Sequence, residues 1–318
     1  MYRPISSASS AGLRKQNIIR FFYTKLDVDV DIMFGTSTHS EGVIHMSEMI
    51  GFIGLGHLGL PIATNLLNAG YALRVYNRTA SKADSLVAQG AHLASRPVDA
   101  VTSGGIVVTI VWDDAALESV VLSDGFLEHL GPNGIHLSMS TVLPETAKKL
   151  AAMHAQHGSV YIDATIFGRP EAAVAKQLWI PVAGPQQAKE KVRPLLQAMG
   201  GQGIFDFGEE VGAATLVKLV GNFLIASAGY SLREALSMAE KNGVDPKAVV
   251  DMLTHTLFPA PIYQNYGKRI AENTAPFSQS AIPLRDVGLF KKTAQQVESP
   301  TPIASLVQDL LRSDVSCD

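Results

Sequence analysis

Lys218 is the single charge in the twenty-residue stretch "VGAATLVKLVGNFLIASAGY", Val211–Tyr230. If the stretch is helical, Thr215, Lys218 and Asn222 share one face, at i, i+3 and i+7. An ammonium surrounded by apolar groups is pushed toward its neutral form, so such a lysine can exchange a proton near neutral pH. It could donate to a developing alkoxide, with the Asn222 amide one turn on. The spacing alone fits equally a lysine whose stem packs and whose tip reaches water. Gly212, Ala213, Ala214 and Gly221 are small, so another surface can approach this helix closely.

A second constellation is "GLGHLG": Gly54, Leu55, Gly56, His57, Leu58 and Gly59. It follows the short apolar run "MIGFI" and opens the helical pattern "LGLPIATNLLNAG". Gly54 permits a tight turn, Gly56 lets the backbone approach a pyrophosphate, and Gly59 lets helix and strand pack closely. The helix N-terminus then favours the negative charge. In an NAD site an acid about 20 residues further on takes the ribose hydroxyls. Here "VYNRT" places Asn77, Arg78 and Thr79 at that point. A carboxylate would repel a 2′-phosphate, whereas an arginine pairs with it. The expected cofactor is NADP(H) in preference to NAD(H).

The surrounding elements must hold these groups. From Met49 to Gly208, short apolar runs alternate with helical patterns, among them the β-branched run Gly105–Trp112. That order predicts an α/β, Rossmann-type doubly wound parallel sheet. The runs "LWIPVAG" and "GIFDFG" complete the series, and "TASKADSLVAQG" reads as a helix with Thr79 or Ser81 as its cap. After Gly208 only helical patterns remain: 211–242, 245–253, 261–272, 282–297 and 302–311. The chain is therefore divided into a dinucleotide-binding domain at 49–210 and an all-helical substrate and oligomerisation domain at 211–318. The helix at 211 would start where the nucleotide domain ends and lie across the cleft between the two.

Bulk properties exclude other classes. A net charge of −3 builds no basic face for nucleic acid. Cys317 is the only cysteine, so no disulfide or cysteine-based metal site forms within one chain. A lysine at the centre of a membrane span costs about 2.5–3.5 kcal/mol, so Val211–Tyr230 reads as a buried helix of a soluble protein. His154 and His157 sit at i, i+3 with no third ligand, which fits a solvated helix face better than a metal site. Asp113 and Asp114 are expected to cap the helix after the Gly105–Trp112 strand. Residues 1–26 hold five Lys or Arg, four Ser and no acid, a transit-peptide-like composition. Met33, Met46 and Met49 are alternative starts, and 1–48 reads as an extension outside the fold. A cytoplasmic location is expected, or an organellar one if 1–48 is a targeting segment.

The chain from residue 49 resembles the β-hydroxyacid dehydrogenases, the group of 3-hydroxyisobutyrate dehydrogenases and glyoxylate or succinic-semialdehyde reductases. "GFIGLGHLGLPIATNLLNAG" is similar to their opening fingerprint, with His57 where Met is usual. "SMSTVLPET" matches their Ser-Thr-x-x-Pro segment, which implies substrate binding by Ser140 and Thr141. "GAATLVKLVGN" matches their lysine motif, which implies Lys218 as the catalytic group and Asn222 as its partner. Two segments depart. The substrate loop, usually Asp-Ala-Pro-Val-Ser-Gly-Gly, is "DATIFGRP": Phe167 replaces the serine, Gly168 is kept, and Arg169 becomes a candidate carboxylate clamp or a solvent-facing residue. Where Lys-Asp is common, Arg285 precedes Asp286, which keeps the charge but changes its geometry; both are expected among the substrate-binding residues. The resemblance implies hydride transfer between NADP(H) and a small carbonyl or 3-hydroxy acid. The cofactor carries the hydride, so no metal is required, and a long apolar helix that needs a partner subunit to cover it leads to the expectation of a homodimer or homotetramer. The related imine reductases share the glycine loop but usually lack the lysine, and a catalytically silent NADP-binding protein is a further alternative. A chain started at Met46 is expected to fold and turn over like the full chain; loss of folding, read by circular dichroism, would show that 1–45 belongs to the fold.

Overall fold

The structure, a computed structural model, describes residues 49–272 and 281–315. The expectations for residues 1–48 and for Cys317 lie outside the described residues. The elements run β1 Met49–Ile53, α1 Gly59–Asn68, β2 Ala72–Tyr76, α2 Asp84–Val87, β3 His92–Leu93, β4 Ile106–Thr109, α3 Asp114–Val121, α4 Phe126–Leu130, β5 Ile135–Ser138, α5 Pro144–Gln156, β6 Val160–Asp163, α6 Pro170–Val174, β7 Leu178–Val182, α7 Gln186–Ala198 and β8 Gly201–Asp206. Five helices follow: α8 Ala213–Lys241, α9 Pro246–His255, α10 Pro261–Ala271, α11 Ala281–Gln296 and α12 Pro302–Val315.

The main sheet is parallel throughout, in the order β3-β2-β1-β4-β5-β6. The order reverses between β1 and β4, and ligands of such sheets bind beyond the strand ends at that reversal. Strands β4 and β5 are buried at every residue, because helices cover both faces. Ile50, Phe52 and Leu137 pack with Ile62 and Leu66 on one side; Ile53 and Val107 pack with Leu117, Leu130 and Leu150 on the other. The helical part has its own core of Ala226, Tyr230, Val287, Val307 and Leu311.

Three elements differ from the sequence expectation. Strand β4 ends at Thr109, and Ile110–Trp112 leave the sheet to pass over the glycine loop. The segment after Thr79 is a short 3-10 turn, Ala80–Ala83, followed by α2, and the Thr79 side chain makes no cap bond. Strands β7 and β8 pair with each other in a separate two-stranded sheet. The cause lies beyond β6: Asp163 and Phe167 take up the backbone of Ala183 and Trp179 as antiparallel bridges, so β7 cannot continue the parallel series.

His154 is fully buried, which overturns its reading as part of a solvated face. It lies on the inner stripe of α5 with Thr146, Ala147 and Leu150. Its Nδ1 donates to the Leu150 carbonyl at 2.7 Å, which leaves Nε2 to accept from His136 Nδ1 at 3.1 Å. His136 Nε2 then accepts the Thr109 hydroxyl at 2.8 Å. Both rings are thereby neutral donor–acceptor links; burial holds His154 down at about 4, and His136 well below the usual histidine value.

Helix α8 spans 29 residues and packs against α9, α10, α11 and α12. By length and composition it could cross a membrane; here it is the central helix of the second part, and only a third of its most apolar stretch is buried, less than the buried helix expected from the sequence. Its start is set by Gly212, at φ 99° in the left-handed region, and by Asp163 at the end of β6. Asp163 Oδ2 accepts the Thr215 backbone N–H, and Oδ1 accepts the Thr215 hydroxyl, both at 2.8 Å. Burial raises the Asp163 carboxyl to about 6, against the donors of Thr215 and Gly212, so it is ionised at neutral pH. Asp163→Ala would strand the buried Thr215 donor, and a loss of about 3 kcal/mol is expected. Denaturant unfolding should read that loss, and turnover should fall with it; an unchanged midpoint would contradict the clasp.

Candidate active site

The site is built where β1, β4, β5 and β6 end and α8 crosses in front of them. Gly54 holds φ 101°, and its N–H donates to the Tyr76 carbonyl at 2.9 Å. A side chain at Gly54 or Gly59 would collide with the backbone of Ile110 or Gly54 respectively. Gly56 differs: nothing lies within 4 Å of where its side chain would begin. Leu55 is buried, Gly56 and His57 are exposed, and Leu58 is half-buried at the entry to α1. The loop is closed by Asn77, whose Oδ1 accepts the Leu55 N–H and whose Nδ2 donates to the Thr79 carbonyl, each at 2.9 Å. Arg78 and Thr79 are exposed at its edge. This open backbone at a helix start, with no side chain capping α1, fits a pyrophosphate.

Two loops wall the opposite side. Ser140 is buried and its Oγ accepts the Val111 N–H at 2.9 Å, which ties the β5 loop to the β4 loop. Thr141 beside it is half-buried. Asp113 caps α3 through the Ala116 N–H at 2.8 Å, as expected. Asp114 takes another role: it accepts from Leu143 N–H and the Thr146 hydroxyl and so anchors the start of α5.

Helix α8 brings Thr215, Lys218 and Asn222 to one face, and both neighbours of the lysine are tethered. Thr215 is held by Asp163, and Asn222 Nδ2 donates to Asp286 Oδ2 at 2.5 Å. Lys218 is half-buried between them, with Nζ 4.3 Å from the centre of the Phe167 ring. The same ring lies against Gly221, where a methyl group would strike it. Burial lowers the Lys218 ammonium to about 8, with Asp286 opposing and Arg285 assisting that shift. Asp286 is almost fully buried, and Arg285 clasps it through Nε at 2.8 Å.

Not every expected residue meets the lysine. Gly168 holds φ 149° beside Leu178. Arg169 is exposed and pairs with Glu171 at 3.5 Å at the start of α6, so it faces solvent and not the lysine. Sequence reasoning gave no role to Asp163 or Trp112. A carboxylate ending an apolar strand was the available signal for Asp163, although its partner lies 52 residues away. Among the described residues no group of three His, Cys, Asp or Glu is arranged to hold a metal ion.

Comparison with known proteins agrees with this architecture. Residues 49–208 match the NAD-binding domain of 6-phosphogluconate dehydrogenase, and 212–316 match the NAD-binding domain of NADP-dependent 3-hydroxyisobutyrate dehydrogenase. An uncharacterized oxidoreductase, YfjR, from Bacillus subtilis is 42% identical over 84% of this chain and 93% of its own. An NAD-dependent L-serine dehydrogenase from Pseudomonas aeruginosa is 35% identical over 83% of this chain and 91% of its own. The structure of Psf3 in complex with NADP+ and 2-OPP superposes with a TM-score of 0.74 at 26% identity, covering 83% of this chain and 93% of that one. With both halves matched in order and relatives aligned almost end to end, the chain belongs to the β-hydroxyacid dehydrogenase family, NAD(P)-dependent oxidoreductases that act on CH–OH or C=O groups.

Proposed function

We propose that the protein is an NADP(H)-dependent oxidoreductase of a small 3-hydroxy acid or the corresponding carbonyl acid, with Lys218 as the proton donor and acceptor. The observation that carries the reading is the state of Lys218: a half-buried amine near pKa 8, between two tethered neighbours and under an aromatic ring. When bound, the nicotinamide cofactor supplies or takes the hydride at the substrate carbon. In reduction Lys218 donates a hydrogen bond and then its proton to the substrate oxygen. In oxidation the neutral amine takes the hydroxyl proton. Asn222 orients the lysine or the substrate hydroxyl, while Phe167 excludes water from one side of the ammonium. Ser140, Thr141 and Gly168, in the loops that follow β5 and β6, are assigned to the substrate carboxylate. Exposed Leu216, Val220 and Leu224 on α8 support a homo-oligomer that covers them.

Cofactor preference rests on Arg78 beside the uncharged Asn77. The match of residues 212–316 and the Psf3 complex support NADP, while the Pseudomonas relative is named as NAD-dependent. Arg78→Asp is expected to lower kcat/KM with NADPH about tenfold or more relative to NADH, the worth of one charge-assisted phosphate pair. An unchanged ratio would remove the NADP assignment.

The decisive assay measures NADPH oxidation and NADP+ reduction across glyoxylate, succinic semialdehyde, 3-hydroxyisobutyrate and L-serine. Lys218→Ala should keep its fold and cofactor binding while losing about 10²–10⁴ in kcat. The lysine also sets opposite pH profiles. Reduction needs the ammonium, so its kcat should fall as pH rises through about 8; oxidation needs the amine, so its kcat should rise to a plateau above about 8. Profiles that do not move with the direction of reaction would assign the proton to another group.

A further inference from the structure

A second contact joins the end of the sheet to α11, at Trp112, and the proton-transfer scheme leaves it unused. Trp112 stands three residues beyond β4 and is 50% exposed. Arg285, from α11, lays its guanidinium over the indole at 4.6 Å. Its Nη1 also donates to the Trp112 carbonyl. The other edge of the same guanidinium grips Asp286 Oδ1, through Nε at 2.8 Å and Nη2 at 2.7 Å. Asp286 is 1% exposed, and its second oxygen takes the Asn222 amide. A continuous chain of contacts thus runs from the loop after β4 to the residue one turn beyond Lys218.

The chemistry of each link favours a fixed geometry. A guanidinium is planar, so it can stack on an indole while both its edges donate. A lysine at position 285 would keep the charge, with neither plane nor fork. The link to Asn222 is directional as well. Because the amide donates through Nδ2, its oxygen is the end left to accept from the ammonium or from a substrate hydroxyl. A flipped amide would present a donor to a donor.

We propose that Trp112 and Arg285 form a latch between the loop after β4 and α11 that positions Asn222, and through it the hydrogen bonding at Lys218. The inference rests on the function proposed for that site. Trp112 and Arg285 are positioning residues; neither is assigned to the proton transfer.

The test uses the full chain and two separate readouts. The sequence has two tryptophans, so Trp179→Phe leaves Trp112 as the only one. In that background Arg285→Ala should raise the acrylamide quenching constant of Trp112 about twofold, because one covered ring face opens. An unchanged constant means there is no stack in solution and overturns the latch, whatever reaction the site performs. In the Trp179-containing chain, Trp112→Ala should lower kcat about tenfold with KM for the cofactor unchanged, the pattern of a lost orienting contact. Trp112→Phe, which keeps an aromatic face, should restore most of it, and Arg285→Lys should fall between. If quenching responds but kcat does not, the stack exists without positioning Asn222, and the proposal fails. If Trp112→Ala does not fold, Arg285→Lys and Trp112→Phe carry the kinetic comparison. Absence of any turnover in wild-type protein would fail the functional reading alone, since the quenching arm needs no substrate.

Discussion

Two carboxylates fix the roll of α8, and the site depends on that constraint. Asp163 grips Thr215 from the end of β6, and Asp286 grips Asn222 from α11. At 3.6 residues per turn, Asn222 lies roughly 20° around the helix from Thr215, and Lys218 roughly 60°. Pinning the first two therefore leaves the third almost no freedom of direction. Hydrogen bonds to charged groups are worth about 1.5–3 kcal/mol each, more than a surface ion pair contributes. The grips also come from different parts of the molecule, one from the sheet and one from the helices. The lysine is aimed only when both parts are in place.

The surroundings of the Lys218 ammonium pull its charge in opposite directions. A ring face favours the ammonium by about 0.5–2 kcal/mol, and Asp286 favours it as well. Burial opposes both. With the Arg285 charge assisting, the ammonium is lowered to about 8, so desolvation outweighs the pull of Asp286. Gly221 makes this possible, since any side chain there would push the ring away. A glycine in the middle of a long helix costs about 1 kcal/mol, and close approach of the ring is the physical reason to keep it.

What the sequence disclosed follows from how local each feature is. The glycine loop, the face carrying Lys218 and the change from alternating elements to helices all depend on neighbours within a turn or a strand. They read directly from spacing. The grips on α8 join residues 52 and 64 positions apart, and the Trp112–Arg285 contact joins residues 173 apart. Nothing in a single sequence pairs such positions. His154 is a different case. Leu150 and His154 are spaced i, i+4 on α5, which already places the histidine on the buried stripe; reading it with His157 at i, i+3 put it on the wrong face. Its partner, His136, lies within the apolar run of β5, where a polar residue is the exception that signals a partner. For Arg169 the sequence allows a carboxylate clamp or a solvent-facing side chain, and its exposed pairing with Glu171 fits the second.

The nucleotide corner shows how one side chain can serve two constraints. Asn77 stands where an acid would take ribose hydroxyls, and both ends of its amide are committed to the loop. A carboxylate could still accept from Leu55 N–H but would face the Thr79 carbonyl with a second acceptor. The asparagine is thus explained by loop closure before any cofactor is considered. Its contribution to nucleotide choice is the charge it lacks. Under the proposed NADP(H) reading, a 2′-phosphate would need a cation at this edge, and the exposed Arg78 is a side chain that could supply it.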